Sequence, residues 1–311
     1  MEIFGSTFDD SVFSEPRGRV CESLSSFTAK LCEPEWFYES TALDSEDSLE
    51  KQKVFKFRGD LALRRGNYQR ALEAYRSCLQ WIPDNNLSIR RDVLEGMARC
   101  CTKLGQKEKA LDLTELLSKE ASNTCHLASL LLLKVSICQH FGAVRSEMSC
   151  LQQLCSLLPF NPWHWFSLGQ MCLQQLDSHT STEPAGEPEE EQEEAAELRE
   201  DQMWLKACIC FIRTRLLLRV LQQQQSSFVL QRSEKALHTT DEALQHLNPT
   251  QATLQTLTQV MSEDLVPEKM KEDFQDGESL LSVSPQSFRE RWWNKVLLTG
   301  VFEMRQLQET S

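Results

Sequence analysis

The feature that most restricts the fold is a pattern of small, aromatic and turn residues that occupies Phe55–Pro83 and returns 39 positions later. In FKFRGDLALRRGNYQRALEAYRSCLQWIP, Gly59 and Ala71 are small where two antiparallel helices are expected to cross, and Tyr75 fills the groove beside them. Gly66 and Tyr68 mark a tight turn between the helices, and Pro83 cannot continue the second one. The second copy, LEGMARCCTKLGQKEKALDLTELL, carries Gly105 at the place of Gly66 and Ala110 at the place of Ala71, with Lys107 and Thr114 where the first copy has aromatic residues. A repeat of this kind predicts stacked helical hairpins.

A third unit, Leu127–Leu158, reads as helical but keeps little of the pattern beyond Cys138, Cys150 and Leu154. The register returns in NPWHWFSLGQMCLQQL, where Pro162 starts a helix and Trp165, Leu168 and Gly169 repeat the spacing of the first-helix signature. On Gly59, Gly66, Tyr68, Ala71, Tyr75, Pro83, Gly105, Ala110, Trp165, Leu168 and Gly169 the chain resembles tetratricopeptide-repeat proteins. That resemblance implies an all-α, tetratricopeptide-like superhelix whose first helices line a groove for a partner protein or peptide.

Four regions are expected. Residues 1–50 alternate acidic, Ser-rich and aromatic clusters without sustained periodicity and read as a largely irregular arm, with Trp36, Phe37 and Tyr38 docking on the folded body. Residues 51–176 hold the repeats. Residues 177–201 are read as a disordered acidic insertion: Glu183–Asp201 sets ten acids against one Arg and supplies most of the net charge of −13. Residues 202–311 are expected to be a helical extension, with segments near Phe228–Leu247, Thr250–Phe274 and Ser287–Gln308, and to end in a cap carrying Trp292, Trp293, Val296 and Leu297.

Composition excludes several classes of function. The acidic balance argues against a nucleic-acid surface as the main activity, because phosphate binding needs clustered Lys and Arg. The amino terminus has no basic region followed by an apolar one, and no stretch is long and apolar enough to span a bilayer, so an intracellular protein, cytoplasmic or nuclear, without a membrane segment is expected. The twelve cysteines lie in apolar helical runs with no CxxC pair, which reads as packing thiols rather than a metal site or a disulfide framework.

No catalytic constellation is legible. The six histidines are dispersed, and neither a phosphate-binding nor a dinucleotide-binding glycine motif occurs, so no enzyme and no cofactor are expected. His164, between two indoles, reads as a packing residue, and so do Cys100 and Cys101. The candidate partner-binding residues are the cations Arg64, Arg65, Arg90 and Arg91. The expected function is non-enzymatic protein-protein interaction, as an adaptor or subunit of an assembly. The alternative is a nucleic-acid-associated regulator using arginine clusters that converge on one face.

Overall fold

A computed structural model describes residues 35–44, 46–180, 190–222, 227–266 and 283–297. These are helical throughout, with no strand among the described residues. Most of the irregular arm lies outside them.

Three hairpins open the fold: α1 (Ser48–Arg64) with α2 (Tyr68–Leu79), α3 (Leu87–Lys103) with α4 (Lys107–Glu120), and α5 (Thr124–His140) with α6 (Val144–Leu157). Their turns are built alike. Gly66, Gly105 and Gly142 have φ of 74°, 72° and 63°, the left-handed region that only glycine enters without strain. After each glycine the next N–H reaches back to a carbonyl in the preceding helix: Asn67 to Ala62 at 2.8 Å, Gln106 to Cys101 at 2.9 Å and Ala143 to Cys138 at 2.9 Å. This shared hydrogen-bond pattern fixes a residue-by-residue register between the three hairpins. Ala71, Ala110 and Glu147 become equivalent, as do Tyr75, Thr114 and Leu151.

Tyr75 holds the first two hairpins together. Its ring is wedged between Gly59 of α1 and Gly96 of α3, where an added Cβ would come within 2.6 and 2.8 Å of ring atoms. Its hydroxyl donates to Asp60 Oδ1 at 2.8 Å, and burial together with that carboxylate pushes its pKa well above the usual phenol value. Tyr75 therefore stays a neutral donor. The repeat signature is thus a steric device: two positions without side chains admit one ring.

The weak pattern of the third unit has a structural cause. On α5, Leu130, Leu133 and Ile137 belong to the apolar core formed with α1–α4, while Leu131 and Val135 belong to a second core formed with the helices that follow. A helix covered on both faces is apolar almost all round and shows no amphipathic period.

The second core gathers around α7 (Pro162–Thr180) and α8 (Glu190–Gln222), which pack closely along Gly169, whose added Cβ would lie 3.1 Å from Phe211. α9 (Ser227–Leu247) and α10 (Gln251–Ser262) pack on α8. A terminal segment, α11 (Pro285–Phe288), a π-helical turn (Arg289–Trp293) and α12 (Asn294–Leu297), returns against α6. There Phe288 and Trp292 close over the buried Trp165, with ring centroids 5.4 and 5.2 Å away. Such aromatic pairs contribute about 0.5–1.5 kcal/mol each beyond the area they bury.

Several expected boundaries are corrected. α2 ends at Leu79, before the turn that carries Pro83. α7 runs on to Thr180 and α8 begins at Glu190, so helix enters the stretch 177–201 from both sides and only residues 181–189 of it lie outside the described residues. Glu and Ala are good helix formers, and acids at a helix start are stabilised by its dipole. Of the segment expected over Thr250–Phe274, Gln251–Ser262 is helical, the chain turns at Glu263 and Asp264, where Asp264 pairs with Arg213, and residues 267–274 lie outside the described residues. The segment expected over Ser287–Gln308 is helical from Pro285 to Leu297, and its remainder lies outside the described residues.

Candidate partner-binding groove

The first helices of the hairpins, α1, α3 and α5, lie side by side and leave a groove between them. One end, a cleft of about 200 Å³, is lined by Ser88, Arg91, Asp92 and Glu95 of α3 and by His126, Ser129 and Leu130 of α5. The other, of about 550 Å³, is lined by Leu63 and Tyr68, by Arg99, Thr102 and Lys103 of α3, and by Ser136, Gln139 and His140 of α5. Leu133 forms part of both.

The two walls differ because the helical period places different residue types on them. Along α3, Arg91, Glu95, Arg99 and Lys103 recur every four residues, and Arg99 donates to Glu95 Oε1 from Nε and Nη2 at 3.0 and 2.7 Å. Along α5 the wall carries His126, Ser129, Ser136, Gln139 and His140, and Leu132 is exposed on the same helix. The fixed charges stand on the α3 side, and uncharged polar side chains with two imidazoles on the α5 side.

The four arginines singled out from sequence do not form one clamp. α1 and α3 each run antiparallel to α2, so they are parallel to one another. Measured from the paired glycines Gly59 and Gly96, Arg64 and Arg65 lie toward the end of α1 and Arg90 and Arg91 toward the start of α3. At 1.5 Å per residue the two pairs stand about 16 Å apart along the helix axes. Arg65 is ion-paired with Glu35, and Arg90 Nε donates to Glu120 Oε1 at 2.7 Å. Only Arg91 lines the groove described above. Arg99, Lys103, Ser129, Ser136 and His140 were missed; the signal available in the sequence was their fixed offset from the turn glycines.

The repeat-structural residues are placed as follows. Gly59, Ala71 and Tyr75 meet at the crossing of α1 and α2, Ala110 is fully buried in α4, and Trp165 and Leu168 are fully buried in α7. Trp36 and Phe37 dock on α1 through Phe57, with ring centroids at 6.0 and 5.8 Å, and Arg58 Nε donates to the Phe37 carbonyl at 2.7 Å.

Cys100 and Cys101 are buried, and burial pushes the Cys100 thiol up to about 11 and raises that of Cys101. Neither is a thiolate near neutrality. His164 is buried, its Nε2 has no hydrogen-bond partner, and burial lowers its pKa to about 4. Among the described residues no group of three or more His, Cys, Asp or Glu is placed to hold a metal ion, and no helix is long and apolar enough to cross a membrane.

The model of a family of unknown function, DUF5588, matches residues 2–182 and 171–297. The chain belongs to that family. Among curated proteins it is similar to Uncharacterized protein C8orf76 of Homo sapiens, at 34% identity across 94% of this chain and 93% of that protein. It is likewise similar to the Uncharacterized protein C8orf76 homolog of Rattus norvegicus, at 32% identity with the same coverage.

Proposed function

We propose that this member of the family is a non-enzymatic, tetratricopeptide-like interaction module, an adaptor or subunit of an intracellular assembly that holds an extended segment of a partner protein in the groove of α1, α3 and α5. The observation that carries this reading is the repetition itself: three hairpins with one turn geometry turn the same face of successive first helices toward one open groove. Faces stacked in this way give a continuous surface that a single extended chain can follow. The exposed Leu132 beside Ser136 adds an apolar contact to a polar wall.

The nucleic-acid alternative asks for convergent arginines, and the separation of the two arginine pairs, together with the engagement of Arg65 and Arg90 in ion pairs, weighs against it. The two readings separate by salt. Immobilised full-length chain is offered native cell extract at low and high ionic strength, beside a Ser136→Trp variant that fills the groove without adding charge. The proposal expects a defined protein that survives high salt and is lost with Ser136→Trp. Recovery of nucleic acid alone, released steeply by salt, overturns it.

A further inference from the structure

The common turn register places three basic side chains, two of them fixed cations and one an imidazole, at one structural position. Arg64, Lys103 and His140 each stand two residues before the turn glycine of their hairpin, in the last turn of the first helix, and each is exposed. α1 packs beside α3, and α3 beside α5. Packed helix axes lie about 10 Å apart, so the three form a row along the groove's edge with roughly that step.

A basic residue in the last turn of a helix offsets the negative end of its dipole, which accounts for each position taken singly. It does not account for what lies below the row. The cleft of about 550 Å³ lined by Lys103 and His140 also takes in Arg99, which is paired with Glu95 outside it, and no carboxylate is among its lining residues, although the chain as a whole carries −13.

Resting on the groove reading above, we propose that the row Arg64, Lys103 and His140 selects partner segments with a carboxylate at every third residue of an extended stretch. An extended chain advances about 3.3 Å per residue, so three residues cover about 10 Å, one step from helix to helix. Acids at positions 1, 4 and 7 of such a segment meet one basic side chain per hairpin, Arg64 and Lys103 by charge and the His140 imidazole by a hydrogen bond; acids placed side by side meet one of them and repel each other. The occupant is therefore an acidic, extended segment of another protein, recognised by the spacing of its charges as well as by their number.

The test uses the full chain and two fluorescein-labelled peptides of one composition, ESPESPESP and EEESPSPSP, with binding read by fluorescence anisotropy at low ionic strength. The spaced peptide is expected to bind about fivefold tighter than the clustered one. Arg64→Gln and Lys103→Gln are each expected to weaken it about threefold or more, and Lys103→Arg to leave it unchanged. Equal affinity for both peptides, indifference to the Gln variants, or no saturable binding of either peptide overturns the proposal. A partner captured by the full chain and lost with Ser136→Trp, found together with any of those results, removes the spacing rule and leaves the groove reading standing. Failure of both experiments removes both.

Discussion

The guanidinium of Arg213, on α8, is gripped by both carboxylate oxygens of Asp264, in the turn after α10, at 2.5 and 3.1 Å. It also donates to the carbonyl of Met261 at 2.6 Å and lies 4.9 Å from the ring centroid of Trp292. One fully buried cation thus ties α8, α10 and the terminal segment together. Removing one partner of a buried pair leaves a charge uncompensated, at a cost of about 3–5 kcal/mol. Asp264→Ala is expected to lower the free energy of urea unfolding by about 3 kcal/mol, and the double variant Arg213→Met, Asp264→Leu to cost less than Asp264→Ala alone. A double variant at least as damaging as the single one would contradict this.

The ring of Tyr75 fills space that Gly59 and Gly96 leave open. A methyl group added at either glycine overlaps it, and overpacking of this kind costs about 1–3 kcal/mol. Gly96→Ala is expected to lower the thermal midpoint, and a second change, Tyr75→Leu, to recover part of the loss, so that the two effects are not additive. Strict additivity in calorimetry would show that the glycine is not there to admit the ring.

His164 couples stability to pH. Burial lowers its pKa from 6.5 to about 4, so the folded chain binds its proton less readily than the unfolded chain does. The contribution is fully present above about pH 6.5 and is lost progressively as pH falls toward about 4, amounting to about 3 kcal/mol at the low end. His164→Gln is expected to flatten the pH dependence of the unfolding free energy across that window relative to the parent chain. A difference between the two that does not vary with pH would contradict it.

Thiol chemistry divides the described cysteines. Burial pushes Cys78, Cys100 and Cys150 up to about 11, whereas Cys125 is exposed. Brief alkylation at pH 7.5 followed by peptide mass spectrometry is expected to label Cys125 first, and the buried thiols only after denaturant is added. Early labelling of Cys100 or Cys101 would revive a redox role for that pair.

What the sequence revealed and what it hid follow from the same geometry. The first two hairpins were legible because Gly66, Gly105, Ala71, Ala110 and Tyr75 sit where backbone conformation and helix crossing leave few residue types open. Gly142 went unmarked because the position that is Ala71 and Ala110 in the other hairpins is Glu147 here; that carboxylate is half-buried, its pKa is raised by burial, and it accepts a hydrogen bond from Gln139. Gly96 was missed because its partner is a ring from another hairpin. Arg213 was not singled out, since nothing local in its apolar surroundings announces that its carboxylate lies 51 residues further on. The basic residues were sought as neighbouring Arg pairs, yet the shared turn register aligns Arg64 with Lys103 and His140, one from each hairpin.

The measurement that tests the groove most directly is site-specific photo-crosslinking in native extract. A benzophenone side chain is placed at Ser136, on the groove wall of α5, or at Leu111 of α4, which lines the cleft between α4 and α6 on the opposite face of α5. The account predicts that one and the same protein is crosslinked from Ser136 and not from Leu111. Crosslinking of that protein from Leu111 alone would place the interaction on the opposite face and contradict the groove.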